Sequence, residues 1–526
     1  MQKEERRKTL KLLLGCVGVL SVPYNLVAKI YQNEVPKWDE EFDAVVVGSG
    51  FAGSAAMLSL LDYKLSNVLM IEKMPFLGGN SVYSGGKIAV ANSSFQRDEG
   101  VEDSIEKFTQ DILKSGHHLN DRELVDIMVR QSATTLEWLI NNGVKFSALT
   151  RSGGHSVPRS LSPGVGAYIT RPLQEKILQE GGKIRTRVIL DGIIYNDSNE
   201  VIGIKVREKY QFNFDKDFDE KDNKSGQVKF YRIYGGLILA TGGWGADYRF
   251  RAQFDPSLTK DFKTTNQQGA TGYTANMLLK DGIKFVDMQY IQSMHVTSFD
   301  EGGFGFGYRF ITQAYVYGIA VNPVTGLRFF NEIADRKVGS DAILKVTAQN
   351  NETPPVVIMD IDGAKTVKFA DLQRGILAGA VKQFETLDEL IAYYKINKEP
   401  FLEQLKRYNE YVEEASKNEN YVDPEFGRNF SDFKGQFIKV LKPPFFAARP
   451  GPKVHHCMGG VKTNTKCEVY DNDLKIVKKL YACGELTGGR HGYNRLGSCA
   501  VLDCLVYGKI AGEKLAKNYN KARSVL

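Results

Sequence analysis

The chain has 526 residues, enough for two or three domains built around a large core. Hydrophobic residues make up 42% and charged residues 25% of it, which are ordinary proportions for a soluble globular protein. The formal net charge of +7 is small for this length, and the positive residues form no long block. Composition therefore argues against a nucleic-acid partner.

Residues 1–30 differ in composition from the rest of the chain. A basic segment (4–11) contains Arg6 and Arg7, and a short apolar run (12–22) follows it. The run is too short to cross a bilayer as a stable helix, so no stable membrane span is expected. This layout is typical of an export signal, and the arginine pair resembles a twin-arginine signal. We therefore predict an export signal in residues 1–30 and a periplasmic location; an uncleaved amphipathic helix is the alternative.

The cysteines have no spacing typical of a haem or metal site. No two of them form a Cys-x-x-Cys pair, and the absence of Cys-x-x-Cys-His excludes covalent haem of the c type on this chain. Zinc and iron–sulfur sites are not expected either, so no metal site is predicted. They lie at positions 16, 457, 467, 483, 499 and 504.

A glycine-rich turn near the N-terminus has the pattern of a dinucleotide-binding motif. The apolar run 44–47 reads as a strand buried on both faces, and a helix is predicted from Ser54 onward. Between them, Gly48 makes the tight turn, Gly50 allows a pyrophosphate to approach the backbone, and Gly53 allows the helix to pack closely on the strand. The free N–H groups at the helix N-terminus suit a diphosphate.

A second apolar strand, 68–71, ends in Glu72, about twenty residues after Gly53. An acid at this position is expected to bind a ribose hydroxyl. The glycine clusters 78–79 and 85–86 follow closely and would hold backbone against an extended ligand. The sequence therefore predicts a dinucleotide site, with a tight turn that binds no ligand as the alternative.

Two later segments repeat the pattern of a strand that ends in glycine. The run 236–240 leads into Thr241, Gly242 and Gly243, and the run 480–483 leads into Gly484 and Glu485. After Gly497, an apolar stretch is predicted to form a helix.

Together these motifs resemble the FAD-binding elements of the fumarate reductase and succinate dehydrogenase flavoprotein superfamily. More specifically, the chain from about Glu41 onward resembles the flavoprotein part of flavocytochrome c fumarate reductases. The resemblance implies FAD, with Glu72 at the adenosine ribose, Glu485 near the ribityl chain and the helix after Gly497 facing the flavin. It implies these cofactor-binding residues: Gly48, Gly50, Phe51, Ala52, Gly53, Glu72, Lys73, Gly79, Asn80, Ser81, Gly86, Thr241, Gly242, His456, Gly484, Glu485, Arg495, Ala500 and Val501.

The resemblance also implies an α/β fold, with a Rossmann-like FAD-binding domain and an inserted α+β capping domain. We expect the FAD-binding domain in residues 41–288 and 445–526. The capping domain, which would cover the substrate, is expected in residues 289–444.

The chemistry implied by the family is reduction of an activated C=C bond. It needs a hydride from flavin N5, a firmly held substrate carboxylate and a proton donor. His455 lies in the family's His-His-x-Met-Gly-Gly signature, Arg495 in Gly-x-Asn-Arg-Leu-Gly, and Arg336 in Arg-Phe-x-Asn-Glu-x-x-x-Arg. By resemblance, His455 and Arg495 hold the carboxylate, since cationic donors suit that group, and Arg336 donates the proton.

The rest of the family's substrate pocket is only partly present. Thr312 matches, and His295 matches if one residue is inserted; without that gap the position is Met294. The family's relay glutamate is replaced by Gln313, which cannot exchange a proton, and the relay arginine is missing. Residues 302–310 are rich in glycine and aromatic side chains.

These departures favour a substrate with one carboxylate, such as acrylate, methacrylate, crotonate, urocanate or an aryl-acrylate. Fumarate bound through His295 and Thr312 is the alternative. More distant alternatives are a ketosteroid dehydrogenase, an L-aspartate oxidase, or a flavin-binding sensor without catalysis. Because the chain has no haem motif, electrons are expected from a separate c-type cytochrome.

Overall fold

The computed structural model describes residues 29–215, 222–349, 352–418, 420–430 and 436–524. Arg6 and Arg7 of the expected export signal lie outside these residues. Among the helices within the described ranges, none has the length and apolar character needed to cross a membrane.

The strands are short except in the main sheet. In chain order they are β1 (Ile30–Tyr31), β2 (Glu40–Val47), β3 (Val68–Glu72), β4 (Ile88–Ala89), β5 (Ala148–Thr150), β6 (Ser160–Ser162), β7 (Lys183–Thr186), β8 (Val188–Tyr195), β9 (Val201–Glu208), β10 (Gln227–Leu239), β11 (Phe285–Val286), β12 (Ile291–Met294), β13 (Ile319–Asn322), β14 (Leu327–Arg328), β15 (Val356–Met359), β16 (Lys382–Phe384), β17 (Phe445–Ala448), β18 (Lys453–Cys457), β19 (Gly460–Val461), β20 (Glu468–Tyr470) and β21 (Ile476–Ala482).

The longest helix closes the described part of the chain. The α-helices are α1 (Phe51–Asp62), α2 (Ser94–Asp98), α3 (Ile105–Ser115), α4 (Arg122–Arg130), α5 (Ser132–Asn141), α6 (Ala167–Gln179), α7 (Tyr248–Arg251), α8 (Tyr273–Lys280), α9 (Tyr308–Tyr317), α10 (Arg336–Gln349), α11 (Ile361–Ala364), α12 (Phe369–Leu377), α13 (Leu387–Tyr394), α14 (Lys398–Lys417) and α15 (Cys499–Ser524). Short 3-10 helices span Gln32–Glu34, Gly79–Tyr83 and Gly484–Leu486.

The main sheet is built around the predicted nucleotide-binding strand. Its order is β1-β8-β9-β10-β2-β3-β7, with β21 beside β10 and β20 beside β21. The pairs β10–β2, β2–β3, β3–β7 and β10–β21 are parallel. Val47 pairs with both Leu239 and Ile71, so three strands end side by side. Parallel strands of this kind are buried on both faces, and residues 44–47 are buried as expected.

Helix α1 packs against both the main sheet and α15. Two glycines allow the two helices to approach closely: a Cβ on Gly508 would lie 2.4 Å from the carbonyl oxygen of Ala52, and one on Gly512 would lie 2.4 Å from that of Ala56. Eleven residues of α1, Phe51 to Leu61, are buried. The close packing fixes α1 rigidly behind the turn at its N-terminus.

A second, antiparallel sheet has the order β14-β13-β15-β17-β16. It has its own hydrophobic core, which helices α9 to α14 help to form. The predicted fold class, an α/β fold with a Rossmann-like FAD-binding domain, is confirmed. Strand β17 (Phe445–Ala448) pairs with β15 and β16, so this sheet extends one strand past residue 444, where the sequence analysis places the end of the insertion.

Strands β12 and β18 form a separate antiparallel pair outside these two sheets. In this pair Gln292 lies opposite His456, and a register shift follows. The pair thus places the Ile-Gln segment, 291–292, beside the His-His segment, 455–456.

Candidate active site

A cavity lies where β2, β3 and β10 end. Its volume, including the space at its opening that is accessible to solvent, is about 910 Å³. Most of the predicted cofactor-binding residues line it: Gly48, Gly50, Phe51, Ala52, Glu72, Lys73, Gly79, Asn80, Ser81, Thr241, Gly242 and Glu485. The others predicted are outside its lining: Gly53, Gly86, His456, Gly484, Arg495, Ala500 and Val501.

At two positions of the motif, Gly48 and Gly53, backbone geometry or close packing requires glycine. Gly48 has φ +104°, and a Cβ there would lie 2.3 Å from the carbonyl oxygen of Ala240. A Cβ on Gly53 would lie 1.8 Å from the carbonyl oxygen of Gly48. Gly53 therefore serves the close packing of helix on strand, which explains why it does not line the cavity.

Glu72 is a buried acid held rigidly at the cavity wall. Its Oε2 accepts hydrogen bonds from Oγ (2.6 Å) and N (3.2 Å) of Ser49, and its Oε1 accepts one from N of Met74 at 3.0 Å. A carboxylate can accept about four hydrogen bonds, so room for about one more remains. This arrangement suits a ribose hydroxyl.

The rim of the cavity is fastened by residues that sequence reasoning missed. Asn80 Oδ1 accepts from N of Gln267 at 2.8 Å, and Asn80 Nδ2 donates to Oδ1 of Asn266 at 2.5 Å. Lys73 Nζ donates to Oγ1 of Thr271 at 2.9 Å. The segment 266–271 carries no recognisable motif, so only the fold reveals its place at the cavity.

Glu485, which lines the cavity, forms a pair with the buried His456. Glu485 Oε1 accepts from N of Cys457 at 3.0 Å and lies 3.3 Å from Nδ1 of His456. Burial raises the pKa of Glu485 to about 7, whereas burial and the positive charge of Arg495 lower the pKa of His456 well below its usual range. The imidazole is therefore neutral, and the 3.3 Å contact does not join two full charges.

Two arginines predicted to act on the substrate are connected through Gln292. Arg336, the first residue of α10, donates from Nη1 to Oε1 of Gln292 at 3.2 Å. Gln292 is buried, and its Nε2 donates to Oδ1 of Asn494 at 2.6 Å and to the carbonyl oxygen of Arg495 at 3.2 Å. Burial and the charge of Arg495 lower the pKa of Arg336 well below its usual range. Gln292 occurs in the Ile-Gln sequence, the signal that could have identified it.

His455 belongs to the same cluster. Its Nδ1 lies 2.8 Å from Oγ1 of Thr265. Burial and the positive charges of Arg336 and Arg495 lower the pKa of His455 well below its usual range. A neutral imidazole under the influence of two guanidinium groups can donate a hydrogen bond without adding to their mutual repulsion.

His295 and Thr312 are placed differently from each other. The His295 ring is buried and stacks on Tyr315, with 5.3 Å between ring centroids and 15° between planes. Burial and the charge of Arg336 lower the pKa of His295 to about 3. Thr312 is exposed on α9, and its Oγ1 donates to the carbonyl oxygen of Tyr308 at 2.7 Å. The structure thus brings His295 near Arg336 but leaves the Thr312 hydroxyl bound to its own helix.

One aromatic side chain of the glycine-rich loop 301–307 reaches the cluster. Phe304 meets the His455 ring edge-on, with 5.4 Å between ring centroids and 86° between planes. The loop is fastened on both sides of this ring: Lys453 Nζ donates to the carbonyl oxygen of Gly303 at 2.8 Å, and the Glu301 carboxylate accepts from two backbone N–H groups of the loop at 2.6 and 2.9 Å. Phe304 therefore forms a fixed apolar wall beside His455.

The comparisons with known proteins agree with this geometry. A family model described as an FAD binding domain matches residues 43–501. The acrylate reductase flavoprotein subunit of Shewanella woodyi is 35% identical over 511 residues, which are 96% of this chain and 97% of that protein. The chain belongs to the fumarate reductase flavoprotein family. A member of the family from Eggerthella lenta, a urocanate reductase, is 30% identical over 490 residues, or 90% of this chain and 75% of that protein.

A solved structure of the same family has the same fold. The open conformation of a flavocytochrome c3 fumarate reductase superposes with a TM-score of 0.72 at 30% identity, covering 92% of this chain and 79% of that one. The resemblance inferred from the motifs is thus confirmed. The protein is an FAD-dependent oxidoreductase that acts on CH–CH groups. The glycine turn, the buried acid Glu72 and the fastened rim all fit FAD.

The described part of the chain was also searched for side chains that could form a metal-binding site. Within those ranges, no group of three or more His, Cys, Asp or Glu side chains is arranged to hold a metal ion. The five cysteines in the described part of the chain are free thiols.

Proposed function

We propose that this family member reduces the C=C bond of an unsaturated carboxylate with one carboxylate group. The candidate substrates are acrylate, methacrylate, crotonate, urocanate and aryl-acrylates. The observation that carries the proposal is the connection of Arg336 through Gln292 to the Arg495 segment, beside a neutral His455. Relatives named acrylate reductase and urocanate reductase support it.

The residues of the chain bind the substrate and supply a proton. When bound and reduced, FAD supplies a hydride to one alkene carbon. Arg495 and His455 hold the carboxylate by charge and hydrogen bonding, and Arg336 gives a proton to the adjacent carbon. Enoate plus two electrons and two protons thus becomes the saturated acid. Gln313 cannot take up and release a proton, so Arg336 regains its proton from Tyr315, Tyr317 or water.

The lowered pKa of Arg336 makes this role chemically reasonable. A guanidinium in water is too weak an acid, but burial beside Arg495 destabilises its charged form. The same positive charges stabilise the negative charge that develops on the substrate. His295, neutral and close to Arg336, does not compete for that proton.

Two features favour one carboxylate over two. Phe304 presents an apolar wall beside His455, and the Thr312 hydroxyl is bound to Tyr308. A second carboxylate would lose its hydration without gaining a cationic partner, which is unfavourable. Fumarate, bound through His295 and Thr312, remains the alternative substrate and is supported by relatives named fumarate reductase.

The more distant alternatives need a different set of side chains. A ketosteroid dehydrogenase would use tyrosines and has no need of the cluster of Arg336, His455 and Arg495. An L-aspartate oxidase would be cytoplasmic, which conflicts with the Arg6-Arg7 pair. A sensor without catalysis is separated from an enzyme by experiment: reductant should bleach the yellow protein, and only an enzyme regains its colour when an enoate is added.

We also propose that the reaction is a terminal step of anaerobic respiration in the periplasm, with electrons from a separate c-type cytochrome. The Arg6-Arg7 pair supports export, and the lack of Cys-x-x-Cys-His in this sequence supports a separate haem protein as the electron donor. Replacing both arginines by lysine should leave the flavoprotein in the cytoplasm, as cell fractionation would measure. Continued export of that variant, or rapid turnover of the pure protein with NADH alone, would contradict this part of the proposal.

An anaerobic screen tests the substrate. Reduced viologen serves as the electron donor, and its oxidation is followed with acrylate, methacrylate, crotonate, urocanate, cinnamate and fumarate. We expect at least one monocarboxylate to give a higher kcat/KM than fumarate. Fumarate as the best substrate would establish the alternative, and no oxidation with any compound would reject the proposed activity.

A further inference from the structure

The carbonyl oxygen of Val454 accepts three hydrogen bonds from donors other than the hydroxyl of Thr265. It accepts from N of Thr265 at 2.9 Å, from Oγ1 of Thr264 at 3.0 Å and from Nδ2 of Asn266 at 3.3 Å. The Thr265 hydroxyl lies 3.3 Å from that oxygen but only 2.8 Å from Nδ1 of His455. The Thr265 hydroxyl therefore donates its hydrogen to His455 Nδ1, which is the nearer acceptor and has no other partner among the described contacts.

We propose that Thr265 is a positioning residue that fixes the tautomer of His455. Its hydroxyl donates to Nδ1, so the single hydrogen of the neutral imidazole is on Nε2. Nε2–H can then donate to a substrate carboxylate. The opposite tautomer would turn an unprotonated nitrogen toward that carboxylate, and two acceptors repel each other.

The surroundings make this hydrogen bond important. Thr265 is buried, so water does not replace its hydroxyl readily. The edge-on contact with Phe304 restrains the other side of the ring. The guanidinium groups of Arg336 and Arg495 disfavour a second proton on His455, which means that the tautomer, and not a positive charge, decides whether the ring binds the carboxylate.

The inference rests on the proposed function, because it concerns a substrate carboxylate at His455. The test compares Thr265→Val, which keeps the shape of the side chain but has no hydroxyl, with Thr265→Ser, which keeps the hydroxyl. Both are purified with FAD bound, and their melting temperatures and FAD content are compared with those of the parent. The KM and kcat of the best enoate from the viologen screen are measured, together with the Kd of its saturated product from the change in flavin absorbance.

We expect Thr265→Val to raise KM and the product Kd about tenfold, with a smaller change in kcat. Thr265→Ser should restore both to near the parent values. Unchanged binding in Thr265→Val would overturn the inference, as would a serine variant as weak as the valine variant, since that would assign the effect to packing of the methyl group. If the parent reduces no enoate and binds no product, the proposed function fails instead.

A Thr265→Val variant that does not fold or retain FAD leaves the parent and Thr265→Ser to decide. In that case the product Kd of the parent and of Thr265→Ser is measured from pH 6 to pH 8. A neutral histidine with a fixed tautomer gives a constant Kd over this range. A Kd that weakens on raising the pH, as it would for a charged histidine, overturns the inference.

Discussion

Arg336 Nη1 and Gln292 Oε1 are joined by a hydrogen bond of 3.2 Å between the first turn of α10 and strand β12. Because β12 pairs with β18, this bond fixes Arg336 relative to the His455–His456 segment. The position of Arg336, the proposed proton donor, is therefore set by this strand pair as well as by its own helix.

Arg336→Lys should retain FAD and substrate binding while lowering kcat by about a hundredfold or more. Lysine keeps the positive charge but not the planar, forked group that donates to Gln292 and to the substrate at once. Steady-state kinetics with reduced viologen give kcat and KM. Arg374→Lys, on the exposed surface of α12 and paired with Asp371, is the matched control and should have parent activity. A fully active Arg336→Lys variant would reject the proton-donor assignment.

Glu72→Ala should lower the FAD content of the purified protein. The substitution removes the acid expected to bind the ribose and also the acceptor that holds Oγ of Ser49. Gly50→Val should act in the same direction, because a side chain there would block the approach of the pyrophosphate and meet Oγ of Ser81. Flavin absorbance per protein measures the occupancy. Glu106→Ala, at an exposed position on α3, is the control, and equal occupancy in all variants would contradict the assignment.

Phe304→Ala should shift specificity toward dicarboxylates. Removing the ring opens the wall beside His455 to water, which can solvate a second carboxylate. We expect the ratio of kcat/KM for fumarate to that for acrylate to rise about tenfold. Phe306→Ala, on the same loop but 54% exposed, should leave the ratio unchanged. A ratio that is unaffected by Phe304→Ala would mean that the ring only packs the loop.

Glu485 should make a distinct contribution to the pH dependence of stability. Its pKa is raised from 4.5 to about 7 in the folded protein, so between these values the folded state keeps a proton that the unfolded chain releases. Its contribution to the free energy of unfolding therefore falls as the pH rises from 4.5 to about 7. Denaturant unfolding of the FAD-free protein and of Glu485→Gln measures the difference.

The variant serves as the control for every other titrating group. Buried neutral histidines such as His295 act in the opposite direction, since their stabilising contribution is lost as the pH falls, but they are present in both proteins. The free energy of unfolding of the parent minus that of Glu485→Gln should decrease as the pH rises from 4.5 to about 7. A constant difference would contradict the raised pKa.

The nucleotide-binding half of the protein could be predicted from the sequence because its information is local. Gly48, Gly50 and Gly53 lie within one strand–turn–helix unit. The tight turn and the close packing of this unit require residues without a Cβ. Glu72 follows at a spacing set by the length of one helix and one strand. The motifs containing Arg336, His455 and Arg495 were also recognised locally, although nothing in their spacing along the chain says that they meet.

The contacts among those residues were decided only by the tertiary structure. Thr265 meets His455 across 190 positions of sequence, and Gln292 reaches Asn494 across 202. A hydroxyl or an amide can bond to many partners, so neither side chain has a sequence pattern that identifies its partner. Chain pairing between β12 and β18, the packing of α10 and the fastened loop around Phe304 bring these groups to one place. The sequence thus determined the cofactor and the charged groups, while the fold determined how they are oriented and which wall the substrate meets.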